Sequence, residues 1–246
     1  MINDNLANVN PDKNKAKLKN TKILIIFALT ILGCKTQNAD QLFEKAIQYE
    51  DHDRYKKAIA MLNKAIELNP KFEKAYLNRA IDKSIIGDYR TAINDLDKMI
   101  NLNENAIEPY VWRAEYKRNL ERYEDAMKDV EKALQLKEPQ YNGTDIVGSK
   151  EFYINKLYPE GENYNIELEF IVFERAAANY HLGNYEQALR DLEFCEQPET
   201  EPINTHYYKG LTLLELKRIK EACEELQKSY KSGEKYALVV YNEYCK

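Results

Sequence analysis

The 246-residue chain is poor in the two residues that most often break helices, with 8 glycines and 7 prolines. So few breakers exclude a loop-rich architecture and fit a mostly helical one. Histidine occurs only at His52, His181 and His206, in separate segments with no companion at metal-ligand spacing, so no metal site is expected. Four cysteines are present without a CxxC pair, which excludes a dithiol redox motif. Also missing are a phosphate-binding glycine loop, a dinucleotide fingerprint, GxSxG and HExxH. No catalytic constellation stands out, and neither a cofactor nor a small-molecule substrate is expected. A basic excess is absent too: the net charge is −5. Nucleic-acid binding needs a basic face, so that class of partner is excluded.

What is present is tyrosine, 19 residues of it, and a strict period. Tyr55, Tyr89 and Tyr123 are spaced by 34 residues, and Ala58, Ala92 and Ala126 keep the same step three positions later. The phase slips once and returns at Tyr185 with Ala188, then at Ala222. A fixed period of this length implies stacked helix-turn-helix units, each contacting its neighbours, with no single central core. A small residue recurs on the first helix of each unit at Ala46, Ala80, Ala114, Ala176 and Gly210. Small residues at a crossing point let two helix axes approach closely. The second helices are expected to begin near Tyr55, Tyr89, Tyr123, Tyr185 and Ile219, with Leu62, Leu96, Val130, Leu192 and Leu226 in their cores. Gly87-Asp88 and Gly183-Asn184 read as turns, glycine ending one helix and Asp or Asn capping the next.

This pattern resembles the tetratricopeptide repeat family. The resemblance implies an all-α, right-handed superhelical solenoid of antiparallel helix pairs. Three repeats are placed at 39–140, an irregular insertion or degenerate repeat at 141–168, two repeats at 169–232, and a capping helix at 233–246. The cap is expected to turn Tyr236, Val240, Tyr241 and Tyr244 inward and to show solvent a polar face. The family binds extended or helical peptides along the concave side, which the first helices line. Carried onto this chain, that surface comprises Leu77, Ile81, Val111, Glu115, Arg118, Phe173, Tyr180, Tyr207 and Leu211. Arg79, Arg113 and Arg175 recur at one position of the first helices and read as stems packed beside an ion pair to the adjacent unit.

The first 33 residues differ from the rest. Lys13, Lys15, Lys17, Lys19 and Lys22 precede the apolar run Ile23 to Leu32, which falls far short of the roughly 20 residues of a membrane span. A basic lead, a short apolar run and a small residue read as an export signal. Ile31-Leu32-Gly33-Cys34 resembles the lipobox of bacterial lipoproteins, with a plain signal peptide as the alternative. The resemblance implies a diacylglyceryl group on Cys34, cleavage after residue 33, a tether at 34–38, and anchoring in the cell envelope. Each buried methylene adds about 0.8 kcal/mol, so several acyl chains anchor stably. Lys35, where Asp would mark inner-membrane retention, points to the outer membrane. Residues 1–33 hold five Lys and two Asp, so the remainder carries about −8.

An exported chain sits where disulfides persist. Cys223 on the last repeat helix and Cys245 on the cap are the expected pair, with Cys195 a buried thiol. The functional expectation is a membrane-anchored scaffold binding a protein or peptide partner. The alternative is a structural subunit of an envelope assembly or secretion complex without a separate groove.

Overall fold

The computed structural model describes residues 38–137, 168–196 and 204–245. The segment 1–33 read as an export signal, Cys34 and residues 35–37 of the expected tether lie outside the described residues, as does the expected insertion or degenerate repeat 141–168 save Leu168.

Among the described residues all regular structure is helical. Five helix pairs follow one another: α1 (Ala39–Glu50) with α2 (Tyr55–Leu68), α3 (Glu73–Ile85) with α4 (Tyr89–Leu102), α5 (Glu108–Asn119) with α6 (Tyr123–Lys137), α7 (Leu168–His181) with α8 (Tyr185–Cys195), and α9 (Thr205–Glu215) with α10 (Ile219–Lys231). The single helix α11 (Lys235–Tyr244) closes the stack. None of these helices is long and apolar enough to cross a membrane.

Each helix packs mainly on its neighbours in the chain. The stack is continuous across 138–167, because α7 packs directly on α6 and also meets α5. Ala46, Ala80, Ala114, Ala176 and Gly210 are all buried, and Gly210 lies directly against Leu226 in the second helix of its own unit. Leu62, Leu96, Val130, Leu192 and Leu226, sixteen residues further on, are each fully buried. Truncating one such leucine to alanine costs about 2–5 kcal/mol, so this seam holds every unit together.

The turns use left-handed backbone. Gly87 and Gly183 supply φ of 82° and 79°, while Asp53, Glu121 and Lys217 adopt 53°, 58° and 63° in the other three units. Asp88 caps α4 through its side chain, accepting from the Thr91 amide. Asn184 does not cap α8; its amide turns back to donate to Asn179 Oδ1 instead. The turn tyrosines Tyr55, Tyr89, Tyr123 and Tyr185 are half-buried. Tyr89 leans on Tyr116, and Tyr123 stacks on His181 at 4.4 Å, both across to the next unit.

The cap departs from expectation. A disulfide joins Cys223 of α10 to Cys245 with Cα atoms 5.7 Å apart, and Ala237 is the buried contact of α11. Val240 and Tyr241 are half-buried, but Tyr236 and Tyr244 face solvent, 72% and 50% exposed. Helix α11 packs on α10 alone to any extent, so one neighbour cannot bury all four side chains.

Candidate partner-binding surface

The first helices of successive units form one layer and the second helices another. Within the first layer α5 meets α7 and α7 meets α9, whereas no two second helices make comparable contact. The closer-spaced layer is the concave side of the stack.

Both layers are knitted by a repeating ion-pair ladder. Arg79 forks onto Asp95 at 3.0 and 2.5 Å, Arg113 onto Asp129 at 2.9 and 2.6 Å, and Arg175 onto Asp191 at 2.9 and 2.6 Å. The aspartate lies sixteen residues on, in the second helix of the same unit. The expected pair to the adjacent unit is therefore the lesser contact. It survives as a second arm to the preceding second helix, Arg79 to Asn63 at 2.6 Å and Arg113 to Asp97 at 2.5 Å. A planar guanidinium with five donors can serve both helices at once, which explains arginine at this position. In the fifth unit Lys209 stands there, 2.6 Å from Glu196 and 3.6 Å from Glu225.

Glu196, His206 and Glu225 bring donor atoms within 4.8 Å of one another, a spacing that could hold a metal ion. The Lys209 ammonium already sits among them and supplies the positive charge. Burial works against ionisation of Glu225, but the His206 contact at 2.7 Å, with Lys228 and Lys209, pulls its pKa down to about 2. The cluster reads as a structural ion-pair network.

On the concave side the nine sequence-assigned residues divide. Leu77, Val111 and Phe173 are 2%, 0% and 4% exposed and belong to the core. Helices α3, α5 and α7 are each gripped by the second helices on both sides, so a wider arc is buried than one apolar stripe suggests. Ile81, Glu115, Arg118, Tyr180, Tyr207 and Leu211 are half-buried, with edges open to solvent.

Arg118 is the centre of this surface. It holds Glu174 of α7 through Nε and one terminal nitrogen, at 3.0 and 3.3 Å, and its other terminal nitrogen donates to the Tyr208 hydroxyl of α9 at 3.1 Å. The guanidinium also lies 5.8 Å from the Tyr208 ring centre. Phe173 and Tyr180 meet the Tyr208 ring edge-on at 5.6 and 5.8 Å, and Tyr207 at 5.9 Å. Burial opposes the Arg118 charge, yet Glu174 and Tyr208 hold its pKa above the ordinary value. Burial, then the neighbouring Glu174 carboxylate, push Glu115 up to about 7 against the pull of Arg118. Burial also lifts Tyr180 to about 12 and, with Arg118, lowers His181.

Shifted, buried ionisable groups also mark catalytic sites. Here they satisfy one another: the Arg118 donors are engaged by Glu174 and Tyr208, and no activated nucleophile–base pair accompanies them among the described residues. The arrangement suits recognition, with aromatic rings at low entropic cost around a fixed charge.

Sequence reasoning missed Glu174 and Tyr208. Asn78, Trp112, Glu174 and Tyr208 occupy one repeat position, two residues before the small residue of each first helix. That register was the available signal.

Comparison with known proteins agrees with this geometry. The tetratricopeptide repeat family model matches residues 49–72 and 107–140. A tetratricopeptide repeat protein from Parabacteroides merdae superposes with a TM-score of 0.58 at 18% identity, covering 94% of this chain and 78% of its own. MamA from Desulfovibrio magneticus, residue 41 to the end, gives 0.59 at 14% identity, covering 79% and 94%. TTC0263 from Thermus thermophilus gives 0.55 at 15% identity, covering 83% and 97%. No curated protein matches in sequence. The fold is an all-helical solenoid of the tetratricopeptide type, and identities this low speak to fold alone.

Proposed function

We propose that the chain is a protein-interaction scaffold that holds a protein or peptide partner on the concave face of its third to fifth units. The observation that carries this reading is the convergence of Arg118, Tyr180, Tyr207 and Tyr208 from three successive first helices onto one half-buried surface. An extended segment laid across α5, α7 and α9 meets aromatic faces on either side of a charged centre. Anchoring by lipid at Cys34 to the bacterial cell envelope, with the outer membrane favoured by Lys35, completes the reading on sequence grounds. The partners are then other envelope proteins.

The test is affinity purification from detergent-solubilised membranes of the native host, with mass spectrometry. Wild type is expected to recover a small set of envelope proteins in fixed ratio. Tyr180→Ala with Tyr207→Ala is expected to lose them while keeping the wild-type helical signal. Cys34→Ala is expected to leave the membrane fraction. Recovery unchanged by the tyrosine pair would remove the concave face as the binding site, and a membrane-bound Cys34→Ala would remove the lipid anchor.

A further inference from the structure

A solenoid end that faces water needs a polar outer surface. Helix α11 does not provide one. It makes its one extensive contact with α10, and its outer side presents Tyr236 at 72% and Val239 at 64% exposure, with Leu238 at 36% beside them. The Cys223–Cys245 disulfide ties the helix to α10, so this face is held in place and not left to fray.

We propose that this end face binds the same face of a second copy of the chain, α11 lying antiparallel to α11 across a twofold axis near Val239. Two observations choose that occupant. Among the described residues the opposite end is polar where it is exposed: α1 shows solvent Asp40, Gln41, Glu44 and Gln48. Head-to-tail stacking would therefore press an apolar face on a polar one, whereas an isologous contact pairs like with like and closes. The charges fit the same arrangement. At 100° per residue, Lys235, Tyr236, Val239 and Glu243 share one face about 100° wide. Lys235 and Glu243 are both exposed and lie four residues before and four after Val239. Antiparallel pairing centred on Val239 sets Lys235 of each copy against Glu243 of the other, twice, with the Tyr236 rings closing over the valines. A parallel pairing would set like against like.

One face of a ten-residue helix is small beside the roughly 1,200 Å² of a standard stable interface, so the dimer is a weak one. Its consequence is valency: two concave faces in one particle bind a repeated or paired partner more tightly than either alone.

Sedimentation equilibrium of the full chain in density-matched detergent tests this. The mass is expected to rise with concentration from that of one chain toward twice that value and no further. Lys235→Glu and Glu243→Lys are each expected to weaken association about tenfold, and the double reversal to restore it, since each single change turns two attractive pairs repulsive. Val239→Asp is expected to leave a monomer with an unchanged melting curve. A monomer at every concentration, a dimer indifferent to the charge reversals, or an open-ended series of higher masses would each overturn the proposal.

Discussion

Arg118 and Glu174 are 56 residues apart in sequence and joined by two hydrogen bonds across the boundary between the third and fourth units. They bridge the one place where the repeat period slips, so the pair ties α5 to α7 within the concave layer. Glu174 is buried, and its charge, after burial, disfavours ionisation of Glu115. Removing the cation leaves two acidic groups facing each other in low dielectric. Arg118→Met is expected to cost about 3 kcal/mol, read from the urea midpoint. Adding Glu115→Gln is expected to recover part of that loss, which a simple packing defect at Arg118 would not allow.

Asp82 lies in the field of the Glu50 carboxylate. Asp82 is 1% exposed, and its Oδ2 and the Glu50 Oε1 have no hydrogen-bond partner. Burial, then the Glu50 charge, push Asp82 up to about 7. Between its ordinary pKa near 4 and pH 7 the folded chain holds a proton that the unfolded chain has released, so stability falls as pH rises through that window. Asp82→Asn is expected to be more stable than wild type at pH 8 by about 1 kcal/mol, after discounting for solvent near the pair, and to lose that advantage by pH 4. Thermal melts of both proteins at each pH give the difference directly. That comparison cancels His181, whose lowered pKa acts in the opposite sense.

The helix starts at Tyr55, Tyr89, Tyr123, Tyr185 and Ile219 were legible because apolar and small residues repeat in phase, and the turn chemistry punctuates them. The surface was less legible. Leu77, Val111 and Phe173 sit beside truly half-buried positions on the same helices, and one-dimensional periodicity does not say how far each neighbouring helix wraps around. In α7 every residue from Ile171 to Asn179 is buried, so no apolar stripe is visible at all. Glu174 escaped notice because a buried glutamate looks in sequence like any solvated one; its arginine lies in another unit. The cap failed for a different reason. Tyrosine at helical spacing reads as core, but α11 has one main neighbour, α10, to bury it against.

Gly210 is the one glycine in a row otherwise occupied by alanine. A Cβ there would stand 2.7 Å from Leu226 Cγ and 2.9 Å from its Cδ2, closer than side chains approach one another. Leu226 is itself fully buried and cannot swing away. Gly210→Ala is therefore expected to lower stability by about 1–3 kcal/mol, although alanine is the better helix former by about 1 kcal/mol. Three other units seat alanine against leucine at these positions, so the clash is particular to how closely Leu226 approaches here; the third unit pairs Ala114 with the shorter Val130, a combination that would make room. Gly210→Ala with Leu226→Val is expected to melt above Gly210→Ala alone. If the single variant melts at or above wild type, the crossing is looser than the structure indicates.

The disulfide spans 22 residues of sequence, and closing a loop of that size contributes about 3 kcal/mol. In a stack where each unit contacts only its neighbours, that contribution is spent locally. Helix α11 buries Ala237 and little else, so without the bond it lacks the apolar contact to stay docked. Cys245→Ser is expected to abolish hydrogen-exchange protection in α11, to reduce it in α10, and to leave α1 to α6 as in wild type. Protection lowered evenly along the stack would mean that the cap is coupled to the whole solenoid. The same variant bears on the end face, because a frayed α11 cannot present Tyr236 and Val239 together, and self-association should weaken in step with the lost protection.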